Sequence, residues 1–297
     1  MIEKLSQVIK SDRIRENVPM STMTTFKTGG NADIIVFPHN VEELKAVVKL
    51  FYDMNTPYYV LGNGSNLLVS DDGLRNPVIC LGRDFASIDL FDNCITARSG
   101  AFLSTIAKKA RDNSLTGFEF AAGIPGSFGG ALVMNAGAYG GEMKDVVEAV
   151  SFLDPSGEEH VVSCDEMEFS YRKSALSDTN FIVTGATIKL EQGNIQEIDE
   201  KMAELAAKRR EKQPIELPSA GSTFKRPTGY FAGTLIEQSG LKGRAIGGAM
   251  VSEKHAGFIV NTGGATTKDI CDLIQLVQDI VYEKHGVLLE TEVKFWE

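Results

Sequence analysis

The stretch FAAGIPGSFGGALVMNAGAYGGE, residues 120–142, restricts what this chain can fold into more than any other part of it. Seven glycines fall in the twenty residues from Gly123 to Glu142, and nothing charged lies between Glu119 and Glu142. Glycine inside a helix or strand costs roughly 0.5–1 kcal/mol relative to alanine, so such a density argues against a regular element running through the stretch. A linker would be as rich in glycine but would not also carry Ile124, Phe128, Leu132, Val133, Met134 and Tyr139. Those side chains anchor an ordered loop. Two uses of the glycines stay open: tight turns with closely packed backbones, or main-chain approach to a ligand.

A second glycine loop, Gly62, Asn63, Gly64, Ser65 and Asn66, follows the strand-like run TPYYVLG. Neither loop is a standard nucleotide motif. Leu67 occupies the third glycine position of GxGxxG, and no Gly-Lys dipeptide exists anywhere for a Walker A loop. Backbone N–H groups that point inward can still form a nest for a pyrophosphate, and glycine removes the Cβ that would hold a ligand away. Such a cradle needs no Lys or Arg, which suits the missing charge. The loops by themselves indicate a nucleotide-like cofactor.

The rest of the composition narrows the class. A chain of 297 residues, 43% hydrophobic and 24% charged, has material for about two domains. Its formal net charge of −10 argues against non-specific nucleic-acid or anionic-membrane binding, while leaving room for small anionic ligands at local basic patches. Cys80, Cys94, Cys164 and Cys271 are scattered with no CxxC pair, and read as reduced core residues. His39, His160, His255 and His285 lack ligand spacing, so no metal site is expected. The N-terminal segment has no apolar core of signal-peptide type, and no run approaches a membrane span. A cytoplasmic location and no obligate protein partner are the expectations.

Periodicity places the elements. Asn40 and Glu43 resemble a capping box before Leu44, Val47, Val48 and Phe51 at helical spacing. Leu103, Ile106, Ala107 and Ala110 predict a helix over 102–113. The run VVEAVSFLDPSGEEHVVS predicts a hairpin turning at Asp154, Pro155, Ser156 and Gly157, and residues 181–190 a further strand. A polar, helix-forming texture begins near 191–195 and is read as a domain boundary. Beyond it come two short strands (AMVSE, GFIVN) and a helix with Ile270, Leu273, Ile274, Val277, Ile280 and Val281 on one stripe. GVLLETEVKFW alternates as a final strand. The expected class is α+β.

The order of Thr25, Phe26, Lys27, Thr28, Gly29 and Gly30, then LGNGSNLL, GIPGSFGGALVMNAGAYGGE, FSYRKS, AGSTFKRP and LLETEV resembles the UDP-N-acetylenolpyruvoylglucosamine reductase family of bacterial flavoproteins. The likeness runs in order from about residue 20 to the C-terminus. The short spacing between Arg172 and Ser222 is similar to the family's second type, which lacks an extra substrate-covering loop. The resemblance implies an FAD-binding domain of the vanillyl-alcohol-oxidase/PCMH type in two α+β subdomains, residues 1–77 and 78–194. It also implies a C-terminal α+β substrate-binding domain, residues 195–297, whose last strand returns toward the flavin site.

For the site, the resemblance implies non-covalent FAD held by Gly62, Asn63, Gly64, Ser65, Asn66, Gly123, Ile124, Pro125, Gly126, Ser127, Gly129, Gly130, Asn135, Ala136 and Gly137. No histidine lies in either loop to attach a flavin. NADPH would be the hydride-donating co-substrate, and a UDP-sugar enolpyruvyl ether the acceptor. Arg172 matches the arginine facing the carboxylate, Ser222 the proton donor and Glu292 the glutamate of the last strand. Alternation puts Glu290 on the same face as Glu292, so pattern cannot choose between them. Lys225 and Arg226, with Lys242 and Arg244 nearby, form a candidate receptor for the UDP diphosphate or the NADPH phosphate. Lys225 is also the sequence-near cation that a serine, a poor acid alone, would need. Tyr139 either contacts substrate or packs in the core. Two other readings remain: an FAD-dependent sugar or alcohol oxidase of the same fold, and a catalytically silent nucleotide-binding protein.

Overall fold

The computed structural model describes all residues, 1–297. Its chain gathers into two compact units, each assembled from separated segments. The first holds Met1–Glu16, Ile34–Asn63 and Asn76–Ala207; the second holds Asn17–Asp33, Gly64–Arg75 and Lys208–Glu297. The last passage from one to the other falls inside the helix Ile195–Lys212, where only Ile198 and Leu205 are buried.

Within the first unit, parallel strands build one layer: Ile35 pairs with Val78, and Tyr59–Leu61 pairs with Val78–Cys80. The central strand, Val78–Cys80, is buried throughout and reads as a continuous apolar run rather than alternation. The helix Val41–Asp53 covers them with Val41, Leu44, Val47, Val48 and Phe51. Its start is capped by the Asn40 side chain, which accepts from Glu43 N at 2.8 Å. The expected reciprocal arm goes elsewhere. Glu43 accepts from His39 N at 2.9 Å and pairs with Arg13, so one cap bond of the box is replaced by an ion pair.

A second core lies under a five-stranded antiparallel sheet ordered Glu159–Ser163, Val147–Leu153, Ile182–Lys189, Cys94–Arg98, Ile88–Phe91. The predicted hairpin is present, with Leu153 opposite Glu159. Its turn is organised by one carboxylate. Asp154 accepts from Ser156 N (2.8 Å), Ser156 Oγ (2.6 Å) and Glu158 N (3.1 Å), and meets His160 Nε2 at 2.9 Å. The helices Leu103–Asp112 and Phe128–Val133 pack on this sheet through Leu103, Ile106, Phe128 and Leu132.

The second unit is centred on the helix Thr267–His285, whose stripe of Ile270, Leu273, Ile274, Val277 and Val281 is buried. Thr266 and Asp269 form a full capping box, and Gly286 ends the helix in the left-handed region. Three antiparallel strands, Ala245–Ile246, Ala249–Val251 and Ile259–Asn261, lie against it. The final strand is shorter than alternation predicts. Only Lys294–Trp296 joins a ladder, parallel to Leu67–Val69. Upstream, alternate burial persists at Leu289 and Val293, but the chain makes a single bridge, Thr291 to Phe224, because its partner segment is equally short. Cys80 is buried and the other three cysteines are partly so; all four are unpaired, and burial pushes the Cys80 thiol up to about 12. No helix is long and apolar enough to cross a membrane.

The Ser156 hydroxyl, then His160, holds the Asp154 carboxyl well below the usual carboxylate range. A carboxyl depressed in the folded state stabilises above its unfolded pKa, roughly 4, and that contribution is lost as pH falls through the lower folded value. Asp154→Ala is therefore expected to lower the urea midpoint at neutral pH, with the gap from wild type narrowing steadily below about pH 4. A gap independent of pH would assign the loss to packing instead.

Candidate active site

The opening glycine stretch resolves into three parts. A loop over 122–127 leads into the six-residue helix Phe128–Val133, and a tight hairpin follows in which Gly137 and Ala138 pair with Glu142 and Gly141. Tyr139 (φ 55) and Gly140 (φ 91) form its two-residue turn, both in the left-handed region as the strand twist requires. Tyr139 is 45% exposed, which removes the core alternative for it. Several glycines are explained by packing. A Cβ at Gly129 would lie 2.6 Å from Ser99 Cβ, and one at Gly141 would lie 2.7 Å from the Phe120 ring. Phe128 and Leu132, fully buried, anchor the helix beneath.

What remains is a set of unspent donors. Phe128 N and Gly129 N donate to Ala101 O and Ser99 O, whereas the amides of Gly123, Ser127 and Gly130 donate to nothing in the first unit. The second loop meets this one directly. Asn63 Nδ2 donates to Pro125 O at 2.7 Å, and a Cβ at Gly62 would overlap Ser127 Oγ. The amides of Gly62 and Asn63 are likewise unspent in the first unit, and those of Gly64, Ser65 and Asn66 in the second. Gly64 sits at φ +60 where a Cβ would overlap Met23 O. Orphaned amides of this kind, with no Lys or Arg beside them in sequence, are the chemistry of a phosphate nest.

Asn135, Ala136 and Gly137 have another occupation. Asn135 is fully buried at φ 44; its Nδ2 donates to Glu142 Oε2 (2.9 Å) and Ser170 O (3.1 Å), and its Oδ1 accepts from Lys144 N (3.0 Å). Ala136 N donates to Ala131 O, Ala136 O accepts from Met143 N, and Gly137 lies in the hairpin ladder. These three residues bind the protein to itself. Through Ser170 they hold the next functional segment.

Arg172 occupies a tight turn in which Ser170 and Lys173 exchange backbone hydrogen bonds of 3.0 and 3.2 Å. Its φ of 56 places a non-glycine residue in the left-handed region, at a cost of roughly 1–2 kcal/mol. The turn is sewn down by Ser174 Oγ and Ser177 Oγ, both donating to Val133 O at 2.7 and 2.8 Å. The guanidinium lies 5.1 Å from the Tyr171 ring centre.

In the second unit, the segments that carry Ser222 and Glu292 are joined by main-chain bonds. Glu292 N donates to Thr223 O and Lys225 N to Glu290 O, both at 2.8 Å. Thr223 is buried, with its Oγ1 accepting from Ile259 N at 3.1 Å, so the Ser222 turn rests on the core. Both Ser222 and Glu292 are half-buried. Of the two glutamates that alternation puts on one face, Glu290 is exposed and ion-paired with Lys225 Nζ at 3.2 Å. That pairing also engages the cation expected to assist Ser222. Lys242 is similarly matched to Glu237 at 2.6 Å. Arg226 lies 3.9 Å over the exposed ring of Phe231 and donates to Tyr230 O at 3.4 Å. Tyr230 and Phe231 carried no signal beyond two aromatics after a Pro-Thr-Gly turn.

Uncharged glycine loops with idle main-chain amides, carried on a mixed framework of helices and strands, are the features of an enzyme that holds a nucleotide-like cofactor. Residues 32–163 match the FAD binding domain family, and residues 213–296 match the C-terminal domain of UDP-N-acetylenolpyruvoylglucosamine reductase. The UDP-N-acetylenolpyruvoylglucosamine reductase of Clostridioides difficile (strain 630) is 50% identical over 290 residues, covering 98% of this chain and 95% of the relative. That of Caldanaerobacter subterraneus is 51% identical over 294 residues, 99% and 97% of the two chains. The crystal structure of the Thermus caldophilus reductase superposes with a TM-score of 0.84 at 40% identity, covering 96% of this chain and all of that one. A Phl p 4 variant described as a glucose oxidase shares the fold alone, at 16% identity and TM-score 0.53 over 65% of this chain and 44% of that one. The chain belongs to the UDP-N-acetylenolpyruvoylglucosamine reductase family.

The loops of the first unit fit the FAD that this membership implies: the amides of Gly62, Asn63, Gly123, Ser127 and Gly130 are idle there, and a Cβ at Gly62 would fill the seam with Ser127. Gly62→Ala is expected to destabilise by about 1–3 kcal/mol, the usual range for overpacking. Adding Ser127→Ala should recover much of that loss, because the nearest remaining atom, Ser127 Cβ, lies 3.3 Å away. Additive losses in urea unfolding would mean the contact is not what Gly62 protects.

Proposed function

We propose that this chain reduces the enolpyruvyl ether of UDP-N-acetylglucosamine to UDP-N-acetylmuramate, with NADPH as donor, in cytoplasmic peptidoglycan precursor synthesis and thereby in cell shape and division. The observation that carries the reading is the pairing of the Ser222 and Glu292 segments inside the unit that matches the reductase's C-terminal domain. The loop amides would hold non-covalent FAD, which supplies hydride relay from NADPH to the enol-ether double bond. The domain reading is residues 1–77 and 78–194 for FAD and 195–297 for substrate; three hydrophobic clusters follow it in the main, although Phe26 and Leu68 join the C-terminal cluster and Phe85, Leu153 and Ile182 join the N-terminal one.

The protein's own work is to stabilise charge and deliver a proton. Hydride addition to the terminal methylene of the enol ether leaves negative charge on the neighbouring α-carbon, delocalised into its carboxylate and best met by a fixed cation in a dry site. Arg172 suits this: a guanidinium keeps its charge and engages both oxygens, and its strained, bolted turn holds it ready. The proton for the adjacent carbon would come from Ser222, whose hydroxyl is a weak acid and needs support. Glu292, rather than Lys225, is the neighbour the backbone ladder brings to the serine's segment. Arg226 and Tyr139 would contact the sugar nucleotide.

The purified protein should be yellow and should oxidise NADPH only when the enolpyruvyl sugar nucleotide is present to turn over. Colourless protein would sink the reading, and flavin reduction by sugars or alcohols without NADPH would favour an oxidase. Ser222→Ala should leave flavin reduction by NADPH near wild type while slowing reoxidation by at least about a hundredfold, the span general-acid groups contribute. Arg172→Lys should impair that same oxidative half; equal loss of both halves would make either residue structural.

A further inference from the structure

We propose that Asn66 is a positioning residue for Glu292, acting through the main chain. The sequence groups Asn66 with the cofactor loop, yet its side chain points its hydrogen-bonding capacity elsewhere. Asn66 Nδ2 donates to Glu292 O at 3.0 Å, and Asn66 O accepts from Lys294 N, also at 3.0 Å. On the other side, Glu292 N donates to Thr223 O at 2.8 Å.

Both main-chain polar groups of Glu292 are thus held, one by the serine's neighbour and one by Asn66. The parallel ladder that would otherwise support this point starts one pair later, at Leu67 and Lys294. The carboxamide of Asn66 supplies the missing rung. A residue with its N–H and C=O both clamped has its Cα–Cβ direction set, so Asn66 fixes where the Glu292 carboxylate can reach relative to Ser222. Without that donor the Glu292 carbonyl is left to water, and the chain between Thr291 and Lys294 gains freedom. The glycine loop therefore has two products: idle amides for an anion, and a side chain that sets the acid–base segment.

The inference rests on the proposed role of Glu292, and the test separates the two. Asn66→Asp keeps the shape but replaces the donor with a carboxylate oxygen facing the Glu292 carbonyl. Reoxidation of reduced flavin by the enolpyruvyl sugar nucleotide should fall at least about tenfold further than flavin reduction by NADPH. In a Glu292→Gln background the same substitution should add less than about a twofold loss, because the group it positions is already gone. Hydrogen exchange, read without cofactor, should quicken at the amides of Glu292 and Lys294 in Asn66→Asp. Asn66→Ser, a shorter donor, serves for the same cycle should the aspartate variant not fold. Equal losses in the two half-reactions, full additivity with Glu292→Gln, or unchanged exchange at Glu292 and Lys294 would each overturn the proposal. A wild-type protein that never reoxidises with the sugar nucleotide, but still shows the exchange difference, would overturn the reductase reading and leave the clamp.

Discussion

Backbone amides without a protein acceptor are the constraint around which this molecule is arranged. A buried or half-buried N–H must find a partner, and the first unit leaves those of Gly62, Asn63 and Ser127 idle while the second leaves those of Gly64, Ser65 and Asn66. Keeping those groups idle demands that everything near them be satisfied by other means. Gly62 gives up its Cβ so that the two loops of the first unit can meet, and Asn63 closes the seam on Pro125. Phe128 and Leu132 bury the loop's far side, so the cradle rests on core rather than on solvent.

Uncharged side chains then carry most of the positioning. Asn135, with three hydrogen bonds and no exposure, links the glycine hairpin to the turn bearing Arg172. Two serines fasten that turn to one carbonyl at the end of a short helix. Asn66 and Thr223 do the corresponding work around Glu292. Amides and hydroxyls fit these places because they satisfy carbonyls without adding charge near a segment built to receive an anion. The visible lysines, by contrast, are matched to carboxylates at the surface, as Lys225 is to Glu290 and Lys242 to Glu237, where an ion pair is worth little.

Much of the fold was legible in the residues. Leu103, Ile106, Ala107 and Ala110 predict their helix because helical period is a local property, and the Asp154 turn declares its hairpin for the same reason. The last strand was over-read: alternation at Leu289 and Val293 is real, but a ladder needs a partner of equal length, and only Leu67–Val69 is there. The site was legible as a set of motifs and illegible as a set of tasks. Asn66 and Asn135 sit in motifs that suggest cofactor contact, yet their side chains reach the carbonyls of Glu292 and Ser170, far along the chain.

The sequence by itself determined where helices, turns and glycine loops form, that no cation accompanies those loops, and which residue types stand at each motif. All of these follow from nearest neighbours along the chain. Tertiary structure alone decided which glycines serve packing and which free an amide, that Glu290 goes to Lys225 while Glu292 joins the serine's segment, and that Asn66 reaches a carbonyl 226 residues away. Those outcomes depend on hydrogen-bond partners supplied by remote segments, and no local pattern encodes which remote segment will arrive.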